Sequence, residues 1–106
     1  MPHYYIQSTV ASGSFVWDAE KERYNRRVHG IDFKQASEVF FDPKRIIAVD
    51  ALHSKTEERF FCIGRVGNKI ATVRFVCREQ KIRIIGAGFW SKGRKLYERK
   101  NKTEGS

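Results

Sequence analysis

The sequence predicts an α+β domain: two N-terminal helices packed on an antiparallel β-sheet of about four strands, with a C-terminal helix behind them. Two segments, Asp18 to Gly30 and Asp32 to Pro43, each begin on a capping carboxylate and end at a helix stop. Four β-rich runs follow, divided by turn signals. After Trp90 the stretch SKGRKLYERKN returns to helical composition.

Residues 1–14 mix aromatic and small polar residues without a helical period and read as an arm, with a short strand at Tyr4 to Gln7. A first helix is expected over 19–29. Asp18 can accept from the free amides of its first turn, Glu20 and Glu22 sit at its positive end, and Gly30 supplies a left-handed stop. Trp17, Tyr24, Val28 and Ile31 are its expected core anchors. A second helix is expected over 33–41, with Asp32 as N-cap, Gln35 in the capping-box position and Pro43 preventing continuation. Phe33, Ala36, Val39 and Phe40 make its apolar stripe.

Strands are expected over 46–50, 59–66, 69–77 and 82–88, the last three joined at Gly67-Asn68 and Glu79-Gln80. Gly93 is an interior weakness of the last helix by propensity. No repeat or second domain is evident, so residues 15–102 read as a single domain and 103–106 as a tail.

At 106 residues the chain can bury one real core, and 41% hydrophobic content argues against disorder. Apolar runs fall far short of the ~20 residues a membrane span requires. No N-terminal stretch has the pattern of an export signal, so a cytoplasmic protein without a membrane partner is expected. Lys and Arg number 21 against 12 Asp and Glu, giving +9. Such a charge favours polyanionic partners, nucleic acid first. A solvated basic surface, or attraction to an acidic protein, would give the same total.

Arginines thread through strands that otherwise read as buried. Two-residue loops in both hairpins fix a register, and alternation then assigns each side chain to a face. One face carries Phe60, Cys62, Ala71, Val73, Phe75, Cys77, Ile82 and Ile84, as expected beneath helices. The other carries Arg59, Phe61, Ile63, Arg65, Thr72, Arg74, Val76, Arg83 and Ile85. Guanidinium forks match phosphate oxygens, and the interleaved apolar residues suit bases. A solvated face, with Arg59 and Arg74 paired to Glu57 or Glu58, fits the same pattern.

Cys62 and Cys77 share a face but lie about 13 Å apart by strand rise, beyond the ~7 Å limit of a disulfide. Both read as reduced core thiols. No Cys or His pair has zinc-site spacing, and no metal or other cofactor is expected. His53, in the polar loop before the first long strand, and Glu58, at its opening, are candidates for proton transfer. A lone loop histidine is more often simply solvated, and Glu58 can equally be a salt-bridge partner. His29 is accounted for by the helix dipole.

The segments FVWDAEKERYNRRVHGIDFKQASEVFFDP, EERFFCIGRV, IRIIGAG and GRKLYERK together resemble the BrnT family of toxins from bacterial type II toxin-antitoxin systems. The resemblance runs from Phe15 to Lys100. It rests most on Trp17-Asp18 with Asn25 and His29-Gly30, the Phe40 to Pro43 ending, and Glu58-Arg59 with Ile63-Gly64-Arg65. It implies a RelE-like fold and a ribonuclease that meets RNA on its exposed sheet face, inhibits translation and is neutralised by an antitoxin, commonly a small DNA-binding protein.

Carried over by motif, Glu58, Arg65 and Arg83 match family positions. Many members continue the last strand into an alanine-arginine step, and Gly88 stands here at that arginine's place, with Arg83, Lys92 or Arg94 near enough to compensate. On this reading Arg65 and Arg83 hold the phosphate of a metal-independent cleavage, and Glu58 or His53 moves protons. Arg59, Arg74, Lys92, Arg94, Lys95 and Tyr97 hold flanking RNA. The alternative is a catalytically weak or inactive module that binds nucleic acid or antitoxin through the same face.

Overall fold

In the computed structural model, which describes the backbone of residues 9–104, one six-stranded mixed sheet forms the centre of an α+β fold. The elements in chain order are β1 (Thr9–Ser12), β2 (Phe15–Asp18), α1 (Ala19–His29), α2 (Phe33–Ala36), β3 (Ile46–Val49), β4 (Phe60–Val66), β5 (Lys69–Arg78), β6 (Lys81–Gly88) and α3 (Ser91–Glu104). Their order across the sheet is β1-β2-β6-β5-β4-β3. The four expected strands are β3 to β6, an antiparallel meander. The expected strand at Tyr4 to Gln7 lies outside the described residues.

Two strands were not expected. The residues TVAS and FVWD form β1 and β2, a hairpin turning at Gly13 (φ 64°), and β2 runs parallel to β6. Four residues each is too short for alternation to announce them, and the parallel β2-β6 pairing makes the sheet mixed rather than purely antiparallel. The 33–41 helix is also not one α-helix. Only Phe33–Ala36 is α, and Ser37–Phe41 tightens into a 3₁₀ segment. This segment lies directly on β4, because a Cβ at Gly64 would stand 2.8 Å from the Val39 carbonyl oxygen.

Both helix starts follow the expected chemistry. Asp18 accepts from the Lys21 amide (3.0 Å), while Asp32 and Gln35 exchange a full capping box. Gly30, at φ 74°, ends α1 and donates to the Arg26 carbonyl.

Phe15, Trp17, Ile31, Phe33, Ala36, Val39, Cys62, Ala71, Val73, Phe75, Ile84 and Ala87 form the main core on one face of the sheet. Tyr24 and Val28 are not part of it and are about half exposed. The buried residue of α1 is Asn25, whose amide donates to Ala87 O (2.9 Å) and accepts from Ala87 N (3.2 Å). Asn25 thus serves β6 as a strand would, beyond the point where β2 ends. Cys77 is likewise exposed rather than a core thiol, while burial pushes the Cys62 thiol up to about 12.

On the other face, α3 covers a second, smaller core of Ile46, Ile63, Ile70 and Tyr97. Gly93 is what allows this contact, since a Cβ there would collide with the Thr72 hydroxyl. The propensity weakness is a packing requirement. Phe41, Ile47, Val49 and Leu52 remain exposed in and around the edge strand β3, next to an apolar cleft of about 500 Å³ floored by Phe15, Phe60 and Phe75. No helix among the described residues is long and apolar enough to cross a membrane.

Candidate nucleic-acid interface

The hairpin registers are those that two-residue loops require: Val66 pairs with Lys69 and Arg78 with Lys81. Arg59, Arg65, Arg74, Arg78 and Arg83 therefore share the α3 side of the sheet, but they do not form one cluster. Arg65 pairs with Ile70 and Arg83 with Val76 on β5, six residues or about 20 Å apart along the strand. Ile63, Ile70 and Thr72, buried near α3, occupy the ground between.

Arg65 borders a cleft of about 720 Å³ with Lys69, Ile70, Arg94, Tyr97 and Asn101. Beneath it lies Asp42, nearly buried. Its carboxylate accepts from the Tyr97 hydroxyl (2.6 Å), the Arg65 amide (2.9 Å) and the Lys44 amide (2.8 Å). Burial alone would raise the Asp42 pKa, but those donors and the Arg65 charge outweigh it and hold the carboxyl below its ordinary value. Burial and the same hydrogen bond push the Tyr97 phenol up. Tyr97 is only 4% exposed, so its ring is a core residue and not a stacking platform for RNA. Lys92, Arg94 and Lys95 are exposed on α3, with Arg94 paired to Glu98 at 3.6 Å.

The second group lies beyond α3. Continuing the β4 register by one residue sets Arg59 opposite Val76, whose other neighbour is Arg83; the two arginines thus flank β5 at about 10 Å between backbones. Arg74 follows one row on. All three are half-buried, and none of the ion pairs between described residues engages them. Glu57 makes a two-pronged contact with Arg78 (2.6 and 2.7 Å). That hydrogen-bonded pairing, helped by the charges of Arg59 and Arg83, lowers the Glu57 pKa against a smaller opposing effect of burial.

Glu57 is the carboxylate that reaches the arginines, whereas Glu58 is exposed. The hairpin register that places Arg59 opposite Val76 also places Glu57 opposite Arg78, so the sequence carried that signal. His53 sits on a short 3₁₀ turn, Ala51–His53, between β3 and β4. Its Nδ1 meets the buried Asp50 carboxylate at 2.9 Å. Asp50 donates its amide to Arg59 O (2.7 Å), and Ser54 Oγ accepts from the Arg59 amide (2.9 Å). The histidine is thereby anchored beside the Arg59 backbone, oriented by a carboxylate.

A β-bulge at Arg74/Phe75 shifts the end of β6, so that Gly86 opposes Arg74 and Gly88 opposes Thr72. At Gly88, where an arginine is expected by resemblance, a Cβ would stand 2.5 Å from the Trp90 indole. The indole fills the place such a side chain would need.

Curated proteins give no match to the chain. A family model described as the ribonuclease toxin BrnT of type II toxin-antitoxin systems matches residues 17–93, from the buried Trp17 through the arginine-bearing strands to Gly93 under α3. With most of its length matched, the chain belongs to the BrnT family of ribonuclease toxins, a class that implies a protein antitoxin as partner.

Proposed function

We propose that this protein is a metal-independent endoribonuclease that inhibits translation by cutting RNA, with its reaction centre at Arg59, Arg74 and Arg83. The observation that carries this reading is three half-buried arginines, free of ion pairs with described residues, and a histidine that a buried carboxylate orients and anchors at the Arg59 backbone. Cleavage begins when a base takes the proton of the ribose 2′-hydroxyl. The resulting oxygen attacks phosphorus, and the 5′ oxygen leaves with a proton from an acid. The guanidinium groups stabilise the charge of the pentavalent phosphorane, the task a metal ion performs elsewhere.

His53 is proposed as the proton carrier, with Asp50 fixing its tautomer. Glu57, released from Arg78 as RNA engages the arginines, is the second candidate, and Glu58 becomes the less favoured carboxylate. Arg65, about 20 Å from Arg83 along the sheet, holds a different phosphate of the same strand, with Arg94, Lys92 and Lys95 nearby on α3.

The antitoxin is proposed to reach this face round the β3 edge, from an anchor on the opposite side of the sheet, where Ile47 and Val49 lie with Cys62 and Phe60. Its anchor is the exposed apolar strip Phe41, Ile47, Val49 and Leu52, where Arg45 at the neighbouring cleft suits an apolar segment bearing acidic residues.

Cleavage of a synthetic RNA by the Arg83→Ala and Arg65→Ala variants tests the assignment. Arg83→Ala is expected to lower kcat by about 10²–10³-fold, as for loss of one transition-state donor. Arg65→Ala is expected mainly to raise KM. Unchanged cleavage in both variants refutes the proposed site.

A further inference from the structure

Beside the arginines, the sheet surface is cleared by two glycines. A Cβ at Gly86 would stand 2.5 Å from Arg74 Nη2, and one at Gly88 would stand equally close to the Trp90 indole. The Arg74 guanidinium and the indole thus lie on alternate residues of β6, about 7 Å apart along the strand. His29, at the end of α1, meets the indole edge to face with ring centres 5.2 Å apart.

Between α1 and this surface runs a cleft of about 500 Å³. Tyr24 and His29 line it from the helix, and Arg59, Arg74 and Ile85 line it from the sheet. Asp18 and Glu20 also border it; Asp18 caps the Lys21 amide and Glu20 pairs with Arg23. Its volume falls within the roughly 300–1,000 Å³ of ligand clefts. Its lining joins three cations, Lys21, Arg59 and Arg74, to two rings, the pairing that single-stranded nucleic acid sites use for phosphate and base. A pure anion site would have no use for the rings, and the two carboxylates would oppose a second phosphate.

We infer that this cleft is a nucleotide subsite. It seats one unpaired base of single-stranded RNA against His29, Tyr24 and the exposed part of the Trp90 indole, with the adjoining phosphate on Arg74 and Arg59. The inference rests on the RNA-cleavage reading and adds to it a fixed place for a base next to the reaction centre. Gly86 leaves room for the Arg74 guanidinium that lines it, and Trp90, seated over Gly88, adjoins it through the His29 ring.

Trp90 is 38% exposed, touches the His29 ring that lines the cleft, and stands apart from Trp17, which is only 3% exposed, so intrinsic fluorescence reports on the border of this cleft. The probe is a short 2′-O-methyl oligoadenylate, which lacks the nucleophilic hydroxyl and stays intact, titrated while anisotropy of a terminal dye follows binding. Trp90 emission is expected to be quenched as the oligonucleotide binds, and the response to disappear in Trp90→Phe. His29→Ala, Tyr24→Ala, or one abasic position in the probe is expected to weaken binding by about tenfold. Binding by anisotropy with unchanged Trp90 emission and wild-type affinity in the variants overturns the subsite while the RNA reading stands. No binding at all overturns both.

Discussion

Asp42 does more at residue scale than any side chain singled out by sequence pattern. It ties the Tyr97 hydroxyl of α3 to the Arg65 amide near the end of β4, so one carboxylate fixes helix and strand together. Replacing it with Asn leaves a weaker acceptor facing three donors; a loss of about 1–3 kcal/mol is expected, read as a lower midpoint in urea unfolding. The sign of its pH dependence follows from the lowered pKa. Its contribution is complete above the unfolded carboxyl value of 3.8 and disappears as pH falls through the lower folded value. Acid unfolding of the native protein is therefore expected to show a stability loss below about pH 4 that Asp42→Asn lacks. Parallel acid profiles would contradict the role. The sequence marked Asp42 only as part of the Phe40 to Pro43 ending and gave it no structural role, since two of its three partners lie 23 and 55 positions away.

At the scale of elements, what could be read from sequence was what local chemistry decides. Caps on both helices and the two-residue hairpin loops were legible because each depends on a few neighbouring residues. Glu79 and Gln80 adopt φ of 51° and 66°, so even a hairpin without glycine obeyed the count. The β1-β2 hairpin was not legible, because four-residue strands owe their existence to pairing with β6. The bulge at Arg74/Phe75 left no local mark either, yet it decides that Gly88 faces the arginine side.

Gly93 makes the difference testable. Helix propensity favours Gly93→Ala by about 1 kcal/mol, whereas the collision with Thr72 predicts a loss of about 1–3 kcal/mol. A raised melting temperature for Gly93→Ala would mean that α3 does not sit as close to β5 as described.

Across the whole molecule, the sheet separates two surfaces of opposite chemistry. One side carries the arginines and α3, while the edge at β3 exposes Ile47 and Val49 beside an apolar cleft. That edge left no mark in the sequence, because β3 reads as any buried strand until its neighbours are known. An antitoxin anchored there and reaching over β4 is expected to slow amide exchange in both β3 and the Arg59 to Arg65 strand. Exchange unchanged in both would place the partner elsewhere. The arginine side was legible as a face, but its division by α3 was not, since the covering helix is distant in sequence from the strands it crosses.

Whether the arginines cleave RNA by transesterification without a metal is decided by the ends of the RNA products formed in EDTA. Cleavage is expected to survive chelation and to leave 2′,3′-cyclic phosphate with 5′-hydroxyl ends. Loss of cleavage in EDTA, or products ending in 3′-hydroxyl and 5′-phosphate, would contradict this mechanism.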